Sequence, residues 1–306
     1  MHYRQLGTFD AQVSEISLGC NRLGESHSPD SHWIDLVRQA VNLGINLFDT
    51  SESYGWGRSE EILGQAIGNR GDVLIAGKVS RVRETNAKDL SAARVIAQAE
   101  ATLQRLQRDC IDIYQLHSPS LADMQAFDWP EAMAKLKAQG KIRFSGVSIN
   151  DLASGQWLIE QGLADVLQVD YSMVEPTVGE ALFPLAEEAG VGILVRMPMA
   201  RGILTGKFQP GQAVSKEYRA SMLGDKVNGY VDQAAAFARV MPDDGLTLGQ
   251  FALRYAISPK AVSAAIPGAR NLEQLQQNVA ASNGVGLSEE DLAGVAIVQA
   301  RWQRKQ

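Results

Sequence analysis

The chain has 306 residues, 45% of them hydrophobic and 21% charged, a composition able to bury a large core. Its net charge of −6 argues against a nucleic-acid partner, because phosphate binding needs surplus Lys and Arg, although an acidic whole can still hold a small basic pocket. Cys20 and Cys110 are too few for a disulfide framework and lack metal-ligand spacing. No apolar run approaches the ~18 residues of a membrane span, and the N-terminus lacks the charged-then-apolar pattern of a signal peptide. The expectation is a cytoplasmic protein with no metal, no membrane and a small-molecule partner; oligomeric state is not legible.

Along the chain, Tyr3–Leu6 and Val13–Ile16 flank a Thr8-Phe9-Asp10 turn and read as a β-hairpin. Short β-branched runs then alternate with segments of helical period. The expected strands are Ile16–Leu18, Asn46–Phe48, Val73–Ala76, Ile111–Tyr114, Phe144–Val147, Val166–Val169, Gly192–Val195 and Val262–Ile266. Between the first two, Ser31 is read as the cap of a helix that buries Ile34, Val37 and Val41 and stops at Gly44. Another helix starts after Asp128 with Trp129-Pro130, carries Met133 and Leu136 inward, and ends at Gly140. Residues 200–246 are a long excursion after the seventh strand, and a last helix runs from Ser288 to about Arg304. Eight strand-then-helix steps without a composition break predict one α/β domain over 1–306, a (β/α)8 TIM barrel whose hairpin covers the bottom of the pore; an open doubly wound sheet is the rival.

In a barrel, polar residues just past the C-terminal strand ends point into the site. The second strand runs into Asp49-Thr50-Ser51-Glu52-Ser53-Tyr54-Gly55, the third ends at Gly77-Lys78, and the fourth at Gln115-Leu116-His117. Each has a bland reading: Asp49 as a turn-former, Tyr54 as a rim residue, Lys78 as a solvated charge, His117 as a structural imidazole. Together on consecutive strands they are the parts needed to protonate an alkoxide.

These motifs identify a resemblance to the aldo-keto reductases that covers nearly the whole chain. Phe48-Asp49-Thr50 through Tyr54-Gly55 and Gly57-Arg58-Ser59-Glu60-Glu61-Ile62-Leu63-Gly64 resemble the family's D-T-A-x-x-Y-G-x-G-x-S-E-x-x-L-G signature. Lys78 and Gln115-Leu116-His117 supply the other tetrad members. Met199–Lys207 resembles its P-L-A-x-G-L-L-T-G-K segment, and Ile266–Asn271 its nucleotide-binding I-P-G-A-R stretch. The resemblance implies carbonyl reduction by hydride transfer, with Tyr54 as acid in reduction and base in oxidation, Asp49 orienting Lys78, and His117 as a neutral donor to the carbonyl oxygen. Lys78 is expected to depress the Tyr54 pKa from its usual ~10.

The hydride implies a nicotinamide cofactor, since no side chain can give one. There is no G-x-G-x-x-G after the first strand, so a Rossmann site is not supported. The resemblance puts the carboxamide on Ser148 and Gln168, and Met199, Gly202, Leu204 and Lys207 along the pyrophosphate. Two departures stand out: Ser148-Ile149 replaces the usual Ser-Asn pair, with Asn150 one place late, and Arg196 aligns with the aromatic that usually stacks on the nicotinamide. Arg270, after Gly268 and before a helix, is the best anion ligand; contact with a 2′-phosphate makes NADP(H) preferred and NAD(H) possible. Gln274 and Asn278, one turn apart, are placed to face the adenine, and Trp56 and Trp129 to wall an apolar substrate pocket. Two alternatives stay open: a sugar or alcohol dehydrogenase working oxidatively, and a cofactor-binding regulatory subunit like the beta subunits of potassium channels.

Overall fold

The computed structural model describes residues 1–212 and 226–303. A two-stranded antiparallel hairpin, β1 (Tyr3–Gln5) and β2 (Gln12–Ser14), precedes eight parallel strands. These are β3 (Leu18–Gly19), β4 (Leu47–Asp49), β5 (Leu74–Val79), β6 (Ile111–His117), β7 (Ile142–Ser148), β8 (Val166–Asp170), β9 (Gly192–Arg196) and β10 (Val262–Ile266). They hydrogen-bond in sequence order, and β3 meets β10 through bridges at Ile16–Ala265 and Gly19–Gly268, with Ser17 N–H donating to Ala265 O. The sheet therefore closes, and the fold is the (β/α)8 barrel.

The helices are α1 (Asp30–Asn42), α2 (Arg58–Ile67), α3 (Ala92–Leu106), α4 (Leu121–Ala126), α5 (Trp129–Ala138), α6 (Leu152–Glu160), α7 (Thr177–Ala189), α8 (Lys226–Ala238), α9 (Leu248–Ile257), α10 (Leu272–Val279) and α11 (Glu289–Gln303), with a 3-10 segment at Ala200–Thr205. Their apolar stripes explain the outer layer. In α3, Val95, Ala99, Thr102, Leu103 and Leu106 recur at helical spacing and are buried, each large aliphatic worth about 1.5–3 kcal/mol. The signature glycine Gly64 lets α2 approach α3, since a Cβ there would lie 2.4 Å from Arg105 O.

The barrel interior has two layers of different chemistry. Leu47, Leu74, Ala76, Ile113, Val166, Leu194 and Ala264 form an apolar floor that Leu6, Ala11 and Val13 of the hairpin seal from below. Gly7 is required at that seal: its φ is +57°, and a Cβ would come 2.4 Å from Gly190 O. Above the floor the same strands turn polar, presenting Asp49, Lys78, Gln115 and Gln168, all buried. Because every strand is parallel, all eight C-terminal ends open on that one mouth.

Several local expectations need correcting. Helix α1 begins at Asp30 behind Pro29, so Ser31 lies inside its first turn and caps nothing. Its buried face is Trp33, Leu36, Val37 and Ala40, while Ile34 and Val41 sit at the margin; the largest ring, Trp33, takes the centre of the stripe. Helix α5 does start after Asp128 with Trp129-Pro130, and the Asp128 carboxylate accepts from Ala92 N–H at the start of α3. Ser288 caps α11 by accepting from Asp291 N–H, and Arg304 lies outside the described residues, as does 213–225 within the long excursion. No helix among the described residues is long and apolar enough to cross a membrane.

Candidate active site

The strand alternation that turns Leu47 and Ala76 inward does the same for Asp49 and Lys78, two places further on. Lys78 is fully buried; its Nζ donates to Asp49 Oδ2 at 2.7 Å, to Thr50 O at 2.9 Å and to Tyr54 Oη at 3.4 Å. Asp49 uses its other oxygen as well, accepting from Gln168 Nε2 at 2.7 Å. A buried ammonium is tolerated only with such partners. Burial works against its charge, but Asp49 and Tyr54 more than offset it, and the Lys78 pKa is raised.

Tyr54 comes off the turn after β4 and meets His117 edge to face, with ring centroids 5.7 Å apart. Burial pushes its phenol above the ordinary value; Lys78 pulls it down, and Asp49 adds to the push. The expected depression is therefore reversed. Lys78 acts in the anticipated sense, but desolvation is the larger effect and Asp49 adds to it.

His117 ends β6. Its Nδ1 lies 3.0 Å from Ser51 Oγ and 3.4 Å from Ser53 Oγ, which leaves Nε2 for the mouth. Burial, reinforced by the charges of Lys78, Lys88 and Arg196, pushes its pKa down to about 2, so the ring is neutral at ordinary pH. Lys88 crosses from the loop after β5 to donate to His117 O. Ser51, Ser53 and Lys88 were not anticipated. The two serines stood in the Asp49–Tyr54 turn, where short hydroxyls are the signal; Lys88, nine residues past its strand, left none.

The opposite side of the mouth is built differently. Ser148 Oγ makes one 3.3 Å contact with Ser118 Oγ. Arg196 donates through Nη2 to Ile149 O and Asn150 Oδ1, both at 3.1 Å, and its Nη1 lies 3.7 Å from Asp170 Oδ2. Its Nε is buried and without an acceptor. A cavity of about 350 Å³ opens beside it, lined in part by Asn150, Asp170, Arg196 and Arg201.

Past β9 the chain passes Met199, Gly202 with φ +92°, and Lys207, whose ammonium lies over Gly202. Leu204 is fully buried and packs in the hydrophobic core, so it does not line the mouth. Lys207 is lowered by burial and by the charges of Arg270 and Arg22, which places three cations within electrostatic reach of one another. Arg270 is exposed at the head of α10. Its N–H donates to Gln274 Oε1, and Asn278 Nδ2 donates to Gly268 O, so both amides brace this loop.

Trp56 is 47% exposed at the rim, with the Arg83 guanidinium 5.2 Å from its ring. Trp129 is fully buried among helices and strands, its indole N–H donated to Met124 O; it anchors the core and does not wall the mouth. Cys20 is likewise a buried filler.

Residues 15–300 match the Aldo/keto reductase family. The chain is 32% identical to the uncharacterized oxidoreductase YqkF of Bacillus subtilis (strain 168), over 95% of this chain and 94% of that one. It is 29% identical to the NADH-specific methylglyoxal reductase of Escherichia coli (strain K12), with 94% of each covered. A solved aldo-keto reductase from Bacillus halodurans, in its holo form, superposes with a TM-score of 0.84 at 30% identity, covering 97% of this chain and 96% of that one. The chain belongs to the aldo/keto reductase family of NAD(P)H-dependent oxidoreductases.

Proposed function

We propose that the chain reduces an aldehyde or ketone to its alcohol with NADP(H), Tyr54 delivering the proton. The observation that carries this reading is the fully buried Lys78 Nζ held between Asp49 Oδ2 and Tyr54 Oη. The bound reduced dinucleotide supplies a hydride to the carbonyl carbon. The carbonyl oxygen takes its proton from Tyr54; burial holds the phenol above its ordinary value, and the positive charge of Lys78 beside it works in the opposite direction, favouring release of the proton. The tyrosinate left behind stands 3.4 Å from the ammonium, which favours it over a free phenolate. In the tautomer where Ser51 donates to His117 Nδ1, Nε2 carries the proton and can donate to the same carbonyl oxygen. A neutral imidazole polarises without competing for the proton.

The β7–β9 side fits a nicotinamide. Gln168 has given its Nε2 to Asp49 and keeps Oε1 for a carboxamide N–H, Ser148 lies on the adjacent strand, and the orphaned Arg196 Nε is a buried donor awaiting an acceptor. Arg22, Lys207 and Arg270 gather positive charge at one place, Arg22 being offset by its ion pair with Glu25, and Arg270, exposed at the head of α10, is the cation placed to meet a 2′-phosphate, which favours the phosphorylated dinucleotide. The test is a panel of aldehydes, ketones and sugars followed at the absorbance band of the reduced dinucleotide, with wild type beside Tyr54→Phe. Turnover is expected with NADPH in wild type and a loss of about 10²–10⁴-fold in the variant at unchanged dinucleotide affinity. Full activity in Tyr54→Phe would remove the acid assignment. Tight dinucleotide binding with no turnover on any substrate would favour a regulatory, cofactor-sensing role.

A further inference from the structure

The two places where the nicotinamide side departs from the family pattern are one connected assembly. Arg196, on β9, reaches back to β7 and binds both the Ile149 carbonyl and the Asn150 amide oxygen. Asp170, paired with Arg196 in the β8–β9 register, faces the guanidinium from the strand between. A residue in the stacking position and a displaced asparagine thus hold each other. The arginine is not a swinging surface group: two acceptors in the loop after β7 and the Asp170 carboxylate on β8 hold its guanidinium, and its Nε is buried. Its charge reaches the reacting centre, since it depresses the pKa of both Tyr54 and His117.

A hydride can be delivered only from a ring in contact with the carbonyl that Tyr54 and His117 hold. Ser148 and Gln168, the residues that would hold the carboxamide, are paired on β7 and β8, and Arg196 is paired with Asp170 on the next strand, so a nicotinamide held by them would lie beside Arg196. The oxidised nicotinamide ring carries a positive charge and the reduced ring is neutral. An aromatic face attracts a cation, whereas a fixed guanidinium repels it.

We propose that Arg196, fixed by Asn150, Ile149 O and Asp170, is a specificity-determining residue that makes this site discriminate between the redox forms of its dinucleotide, holding the reduced form and disfavouring the oxidised one. This rests on the dinucleotide reading above. The overall equilibrium of the reaction is untouched. What changes is occupancy: from a mixed pool the site fills with reduced dinucleotide, and the oxidised product leaves readily, so the protein runs as a reductase. Asp170 tempers the effect by partly neutralising the guanidinium.

The test is equilibrium titration of wild type, Arg196→Phe, Arg196→Met and Asp170→Asn with NADPH, NADP⁺, NADH and NAD⁺, followed by tryptophan fluorescence and calorimetry without substrate. In Arg196→Phe, affinity for the oxidised form relative to the reduced form should rise by about 5–20-fold. Arg196→Met removes the charge without adding a ring face and should shift the ratio the same way by less. Asp170→Asn leaves the arginine uncompensated and should shift it the other way, by about 2–5-fold. A ratio unchanged in Arg196→Phe and Arg196→Met, or equal weakening of both forms, would overturn the proposal while leaving the dinucleotide reading intact. Failure of wild type to bind any of the four would overturn both.

Discussion

The two halves of the barrel mouth satisfy their polar atoms differently. On β4–β6, Lys78 has three acceptors, Asp49 uses both oxygens and His117 Nδ1 is engaged, with Lys78 and Asp49 buried. On β7–β10, Arg196 Nε lacks an acceptor, Ser148 has one long contact, and the Lys207 and Arg270 side chains are exposed to solvent. The Asp49–Lys78–Tyr54–His117 cluster is hydrogen-bonded without a ligand, although Gln115 beside it on β6 has both amide atoms buried without a partner, and across the mouth the buried Arg196 Nε lacks an acceptor. This division suits a reaction in which the acid must be preorganised while the dinucleotide comes and goes.

The sharpest way to break that contrast is to unbalance the proton-transfer half. Lys78→Met leaves Asp49 buried without its cation, a change that typically costs about 3–5 kcal/mol. Thermal and denaturant unfolding should both show it, and turnover should fall by about 10²–10⁴-fold because the tyrosinate loses its counter-charge. A double variant, Lys78→Met with Asp49→Leu, should recover much of the stability and none of the activity. Recovery of activity would show that the pair is only structural.

His117 gives the next largest effect. Its folded pKa of about 2 lies below the ordinary ~6.5, so below pH 6.5 the unfolded chain binds a proton that the folded chain refuses. Stability contributed by keeping the ring neutral is therefore present above pH 6.5 and lost as pH falls, by about 1.4 kcal/mol per pH unit down toward the folded value. Denaturant unfolding at pH 7, 6 and 5 should show a slope that His117→Gln reduces by that amount. The same shift predicts no activity inflection near pH 6.5 from this residue. An inflection there that His117→Gln removes would contradict the neutral-donor role.

The proton-transfer half was also the more legible in the sequence. Inward alternation along a strand fixes Asp49 from Leu47 and Lys78 from Ala76, and the Asp49–Gly64 segment has a spacing that few other arrangements share. The eight strands and the hairpin follow from apolar runs and turn residues for the same reason. What stayed hidden depends on distance in the chain or on solvation. Lys88 and Arg22 act across loops, and periodicity says nothing of where a loop returns. The rise of the Tyr54 pKa needs the depth of burial, which residue identity alone does not carry. Leu204 and Trp129 were read by position in a motif or loop, and only the packing shows that their side chains face the core. Ser31 looked like a cap because Ser before a polar-apolar stretch usually is one; Pro29 had already started the helix.

On the β7–β10 side, substitutions should change affinity while leaving stability alone. Arg270→Ala removes an exposed cation from the group with Lys207 and Arg22 and should weaken NADPH by about 5–30-fold, with NADH changed about 2-fold or less. Equal losses for both dinucleotides would place Arg270 on the pyrophosphate, not on a 2′-phosphate, and would leave NAD(H) as the natural partner. The smallest effect separates the two tryptophans. Trp56 is half exposed under Arg83, so Trp56→Ala should leave Tm within about 2 °C and raise KM for bulky carbonyl substrates by about 2–5-fold at unchanged kcat. Trp129→Phe, by contrast, loses the bond to Met124 O and part of a filled core, and should lower Tm with KM unmoved. If Trp56→Ala changes neither parameter on a panel graded by substrate size, the rim above Tyr54 does not read the substrate, and specificity must come from the β7–β9 side around Asp170 and Arg196.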